Sequence, residues 1–192
     1  MLQVRRFLNN FKATEDLLSE LKTATGAEAL ALLEQLKERE FLQNGLLEGI
    51  DWSGVQLSKG TFAKGRLTKA NFTGADLTYA YFYDAQLQHS ILDNARLTHA
   101  NLREAKLQEA SMITADVSHA NFARADLRGV NLSGAVIAFA NLWAVDLRGA
   151  NLRDAQLQGA NFYETICDNA TLLPDGQAWS PKIEWRDYTQ SN

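Results

Sequence analysis

The 192-residue sequence predicts an all-β solenoid, a chain wound into stacked four-sided coils. Three observations carry that reading. Every fifth residue from Trp52 to Leu172 is apolar, all 25 of them. Two residues before each, from Ile50 to Ala170, 17 of 25 positions are alanine, and the others are Gly60, Gly65, Ser90, Thr165, Ile50 and three valines. Gly54, Gly74, Asn94, Gly129, Gly134, Gly149, Gly159 and Asn169 all stand just before the next small residue. Chance would give so long an apolar series on the order of once in 10⁸ tries.

The backbone follows from the period. A helix of 3.6 residues per turn would smear a five-residue repeat around its whole surface. An extended segment instead sends alternate residues to opposite sides, so the small and large residues, two apart, both point inward. The residue between them, often asparagine as in Asn101, Asn121 and Asn141, points out. A turn must then redirect the chain, and glycine or asparagine before the small residue supplies the positive φ of a type II turn. Four such sides close a square coil of 20 residues, and coils stack at about 4.8 Å. The register holds without a slip from residue 50 to 172, which predicts no interrupting loop.

Stretches such as Ala70-Asn71-Phe72, Ala75-Asp76-Leu77, Ala100-Asn101-Leu102, Ala125-Asp126-Leu127 and Ala150-Asn151-Leu152 resemble the pentapeptide-repeat family, with consensus A(D/N)LXX. The resemblance covers residues 50–172. It implies a right-handed quadrilateral β-helix of about six coils, roughly 29 Å long at the usual strand spacing. Because the family's functions are diverse, it implies a shape rather than an activity.

Both ends of such a tube need covering. Residues 1–49 read as a helical cap. Leu17, Leu18 and Leu21 form a stripe behind Thr14 as N-cap, with Glu15 and Asp16 in the first turn. Thr25-Gly26-Ala27-Glu28 fits a capping box opening a second helix, with Leu30, Leu33 and Leu36 on one face, running to about Gln43 before Gly45. The same segment also reads as a partner-docking hairpin. Residues 173–192 form a short C-terminal cap: Pro174-Asp175-Gly176 signals a turn, and Trp179, Trp185 and Tyr188 supply apolar surface to lie over the last coil. The chain is expected to be a monomer, or a dimer through an end cap.

Composition narrows the functions. No apolar run approaches the ~18 residues of a membrane span, and the start lacks a signal-peptide core. A single cysteine fits a reducing compartment, so a cytoplasmic location is expected. Cys167 falls on an inward position and should be an inert thiol. No nucleophile–base arrangement, no phosphate loop and no three-ligand metal set emerges. The expectation is therefore a non-enzyme with no catalytic, metal or cofactor site.

Positions 20 apart should stack into outward rows. One row reads Lys59, Tyr79, His99, His119, Phe139, Gly159; the next Thr61, Tyr81, Asn101, Asn121, Asn141, Asn161; the third Ala63, Tyr83, Arg103, Ala123, Trp143, Tyr163. All three should face solvent. Tyr79, Tyr81, Tyr83, His99, Arg103, His119, Phe139, Trp143 and Tyr163 then form a candidate partner-binding face, since exposed aromatics with arginine are common interface anchors. The alternative is that these rings only stabilise neighbouring coils. Ile91 and Ile113 make a small apolar patch elsewhere. The expected function is a protein–protein interaction scaffold of a bacterial cytoplasm, with an unidentified protein partner and no direct nucleic-acid contact.

The family resemblance also implies an alternative. Some relatives mimic a DNA duplex, bind DNA gyrase and confer fluoroquinolone resistance. Such mimicry needs a dense negative surface, since duplex DNA carries one charge per ~1.7 Å. Residues 50–172 hold 12 Asp+Glu against 11 Lys+Arg, and the whole chain is only −4, which disfavours it.

Overall fold

The computed structural model describes residues 14–190. The expected helical character of residues 1–13 lies outside that range. Within it, parallel bridges join Asp51 to Asn71, Gln56 to Asp76, Thr61 to Tyr81 and Arg66 to Gln86, and the pattern repeats to Asp146 and Ile166. Each partner lies one 20-residue coil further along, and each coil has four bridged sides.

The repeat works because five residues satisfy five backbone donors. In residues 120–124, Ala120 N–H closes the turn on Val117 O (3.0 Å), and Asn121 N–H bonds back to Ala100 O (2.9 Å). Phe122 N–H reaches forward to Asn141 O (2.8 Å), and Arg124 N–H to Trp143 O (2.9 Å). The fifth donor, Ala123 N–H, bonds to the Asn121 side-chain Oδ1 (3.0 Å). The Asp or Asn of the repeat is thus an Asx-turn acceptor for an amide the coil otherwise leaves over. Asp76, Asn101, Asp116, Asn131 and Asn141 do the same for the residue two ahead.

Every turn from Gly54 to Glu164 places its third residue at φ between +53° and +69°, as a type II turn requires. Most of these residues are not glycine: Lys59, Tyr79, His99, Glu104 and Phe139 are among them. A left-handed side chain costs on the order of 1–2 kcal/mol. The same residue's N–H bonds to the next coil, for instance His99 to Ser118 O at 3.0 Å, which offsets about 1 kcal/mol.

The inward column is buried from Trp52 through Phe162, and the alanines two residues earlier are buried with it. Burying each large side chain contributes about 1.5–3 kcal/mol. Near the first coils the column is aromatic. Phe62 stacks on Phe82 at 4.6 Å, and Phe72 meets both edge-on at 6.2 Å.

The N-terminal flank contains helix α1 (14–23) and helix α2 (Gly26–Glu38). Thr14 is itself helical and nearly buried, so it is not the flanking N-cap the sequence suggested. Thr25 is the cap residue of α2, but the expected capping-box bond is absent. Gly26 at φ +56° turns the chain between the Thr25 hydroxyl and the third-residue amide. The helix also ends earlier than Gln43. Glu40 takes φ +58° after Arg39, Glu40 N–H bonds to Lys37 O and Phe41 N–H to Leu36 O, a Schellman closure with glutamate in the usual glycine position. The buried face is Ala29, Leu32, Leu33 and Leu36, with Leu30 only half-buried. Leu33 lies so close to the first coil that a methyl group on Gly60 would stand 2.9 Å from its Cδ2, which accounts for glycine in the alanine column there. Arg66 N–H to Leu42 O (2.6 Å) and Gly49 N–H to Thr68 O (2.8 Å) tie the flank to the tube.

At the other end the predicted register fails. Leu147 N–H still bonds to Ile166 O, but Leu152 N–H bonds to Leu172 O, one residue later than the repeat requires. Asp168 causes the slip. Its Oδ1 accepts from the amides of Gly149 (2.9 Å), Ala170 (3.0 Å) and Thr171 (3.1 Å), replacing a ladder carbonyl and admitting an extra residue. Those donors, Gly149 first, hold its carboxyl below the usual range. Asn169 therefore has no positive φ, Cys167 is half-buried rather than inside, and Thr171 and Leu173 point inward in place of Leu172. Burial pushes the Cys167 thiol up to about 12, which keeps it protonated at neutral pH. Beyond it, Trp185 stacks on Phe162 at 3.9 Å, leading into helix α3 (Arg186–Thr189), and Gly159 N–H bonds to Thr189 O. No helix among the described residues is long and apolar enough to cross a membrane.

Replacing Leu102 with Asp places an unpaired charge in a fully buried column. The variant should lose more than about 4 kcal/mol and its cooperative thermal transition. A native circular dichroism spectrum with an unchanged melting point would contradict the inward column.

Candidate partner-binding face

The 20-residue register delivers the aromatic rows that the sequence predicts. Tyr79 stacks on His99 with ring centres 4.8 Å apart and planes 5° apart. His99 stacks on His119 at 4.8 Å, and His119 on Phe139 at 5.1 Å. Four rings from four coils form one column on the left-handed turn residues, spaced by the ladder itself. The column stops at Gly159 because Phe139 leans over it: a methyl group there would come within 2.5 Å of the ring. Tyr79 and Phe139 are 53% and 52% exposed, so the column's edges face solvent.

The second row continues as an amide ladder. Asn141 Nδ2 donates to Asn121 Oδ1 (3.2 Å) and Asn161 Nδ2 to Asn141 Oδ1 (3.1 Å). Tyr81, above them in the row, lies 6.2 Å from Tyr83 ring to ring. In the third row Arg103 sits 5.9 Å over the Tyr83 ring, which puts the two residues on the same wall. Trp143 and Tyr163 are exposed, the latter at 68%. Tyr83 is half-buried rather than fully exposed, and one member of the row is hidden altogether. Ala123 is buried, since its single methyl lies between the much larger Arg103 and Trp143 rungs.

Two acidic residues that the sequence reading passed over fix the rings. Tyr83 OH donates to Glu104 (3.1 Å), and Trp143 Nε1–H donates to Glu164 (3.0 Å). Both carboxylates stand 21 residues further on, at the turn of the next coil, a spacing that the 20-residue coil makes readable in hindsight. Arg103 closes on Glu104 at 3.0 Å. Tyr83's hydrogen bond holds the Glu104 carboxyl below the usual range, with Arg103 adding to it, and the same carboxylate raises the Tyr83 phenol. Tyr83 and Trp143 thus have their polar tips already bonded, which leaves these two rings little freedom to lose on binding.

His99 and His119 are stacked face to face, and among the described residues no group of three His, Cys, Asp or Glu side chains converges as a metal site. Ile91 and Ile113 are exposed on other walls, as is Ile166 at 52%, which sequence reasoning did not single out. Elsewhere the walls carry paired charge: Arg128 lies across Asp126 at 2.7 Å and Arg148 across Asp146 at 2.6 Å.

The phenol of Tyr83 offers a direct check of this geometry. Replacing Glu104 with Gln removes the charge that favours the neutral ring, so Tyr83 should ionise at lower pH than in the parent. Ultraviolet titration of phenolate absorbance reads the shift, and an unchanged curve would mean that the two groups do not meet.

A family model described as pentapeptide repeat region matches residues 65–142, and one described as pentapeptide repeats (8 copies) matches residues 131–166. No curated protein matches the chain. Among solved structures, HetL, a pentapeptide repeat protein involved in heterocyst differentiation regulation from the cyanobacterium Nostoc, is 31% identical, with 67% of this chain and 64% of that one covered and a TM-score of 0.32. The match thus spans somewhat under two thirds of HetL. Rfr23 from the cyanobacterium Cyanothece is 28% identical over 72% of this chain and 99% of its own, with a TM-score of 0.36. QnrB1, a plasmid-mediated fluoroquinolone resistance protein, is 16% identical over 70% and 88% of the two chains, with a TM-score of 0.33.

Proposed function

Because this chain belongs to the pentapeptide-repeat family, we propose that it is a non-enzymatic scaffold that binds a protein partner through its aromatic face. In this reading the right-handed tube of about six coils is a rigid support. Residues 1–49 and 173–192 close its ends, and the chain works in the cytoplasm of a bacterium. The observation that carries the reading is the one-sided column of Tyr79, His99, His119 and Phe139, flanked by Tyr83 and Trp143 with their polar tips fixed to Glu104 and Glu164. Pre-ordered aromatics beside arginine suit the centre of an interface, where a few such residues dominate affinity.

Mimicry of DNA has less support. Acidic and basic residues nearly balance over residues 50–172, and Asp126 and Asp146 are covered by Arg128 and Arg148. A surface of bonded carboxylates does not reproduce the free phosphate rows of a duplex.

The test is affinity capture from the native host with parent protein and with a Tyr83→Ala, Trp143→Ala double variant. The variant should keep its β spectrum and melting behaviour while losing about tenfold or more in binding to the captured protein. Ile91→Ala, on another wall, should leave capture intact. Equal capture by all three proteins, or inhibition of gyrase supercoiling by the pure protein, would contradict this reading.

A further inference from the structure

Asn44 and Gly45 join α2 to the first coil, and the groups around them have the makings of a small reaction centre. We infer that Asn44 is a self-modifying site, at which the backbone nitrogen of Gly45 attacks the side-chain amide and converts the residue to aspartate or isoaspartate. The claim is independent of any partner.

Four features converge on the bond to be formed. Glycine after asparagine leaves the attacking nitrogen without a shielding Cβ beside it. Among the described residues none accepts the Gly45 N–H. Leu46 N–H donates to Asn44 Oδ1 at 2.9 Å, the oxygen on which negative charge develops as nitrogen adds to the amide carbon. Glu48 and Arg66, paired at 2.6 Å, lie against the glycine: a methyl group on its Cα would stand 3.1 Å from Glu48 Oε1 and 3.2 Å from Arg66 Cζ. In this proposal the Glu48 carboxylate takes the Gly45 proton, directly or through one water, and the guanidinium offsets the charge that results.

The step balances without any outside reagent except water. Gly45 N loses its proton to Glu48 and forms a bond to Asn44 Cγ. The Cγ–Nδ2 bond breaks, and the amide nitrogen takes that proton and leaves as ammonia. Water then opens the cyclic imide at either carbonyl, giving aspartate or isoaspartate. Asp175-Gly176 is an internal contrast: its glycine N–H is engaged with Leu173 O at 2.9 Å, so the same chemistry has no nucleophile there.

The product would alter the joint between flank and tube. Isoaspartate adds a methylene to the main chain between two fixed points, the Gln43 side-chain bond to Ala63 O and the Glu48–Arg66 pair. Either product also places a new carboxylate beside Glu40, which shares a shallow depression with Gln43 and Asn44.

The experiment follows the full-length protein at neutral pH by peptide mass spectrometry, with isoaspartate read by isoaspartyl methyltransferase labelling. A free peptide of residues 40–49 is the reference. Asn44 in the folded chain should convert at least about tenfold faster than in the peptide, and Glu48→Gln should slow it about tenfold with the fold intact. Urea-unfolded chain should match the peptide, which keeps the test valid if the variant does not fold. A folded-chain rate equal to or below that of the peptide would overturn the proposal.

Discussion

The structure depends on the accounting of backbone donors within each coil. A chain that turns sharply every five residues cannot form long strands, and it leaves one amide per repeat without a ladder partner. In the repeats that carry Asp or Asn at the outward position, that side chain supplies the missing acceptor, as Asn121 does for Ala123 N–H. Where that bond forms, three amides of the repeat reach neighbouring coils, one closes a turn and one meets a side chain. The apolar column drives collapse, but a column alone would tolerate sliding between coils. Hydrogen bonds at a fixed offset do not.

The surface inherits that fixed offset. A tube whose coils cannot slide holds residues 20 apart in register, so side chains chosen independently in sequence become neighbours in space. Tyr79, His99, His119 and Phe139 stack for this reason, as do the asparagines of the adjoining row. Where a side chain takes over a ladder acceptor, as Asp168 does, the offset changes by one and the tube ends. The same backbone rule therefore sets the length of the regular region and the layout of its proposed binding face.

Much of this was legible from residue order alone, because solenoid contacts are between positions a constant distance apart. The inward column, the type II turns, the three outward rows and the closeness of Tyr83 to Arg103 all follow from one number. What escaped the sequence was decided by side chains acting outside the repeat. Asp168 competes with a backbone carbonyl, which no periodicity reveals. Glu40 ends α2 in a backbone state that sequence preference assigns to glycine, and the bulk of Arg103 and Trp143 hides Ala123. Glu104 and Glu164 fall on turn positions that look unremarkable until the coil is closed.

Amide hydrogen exchange measured by NMR probes the donor accounting most directly. Ala123, Ser133 and Trp143 each donate to an asparagine side chain two residues back, whereas Gln108 and Ala138 follow Lys106 and Val136, which offer no such acceptor. The first three amides should show protection close to that of the ladder amides of Phe122 and Leu132, while Gln108 and Ala138 exchange far faster. Equal, rapid exchange at all five would mean that the Asp or Asn of the repeat does not complete the backbone, and the explanation of the five-residue period given above would be wrong.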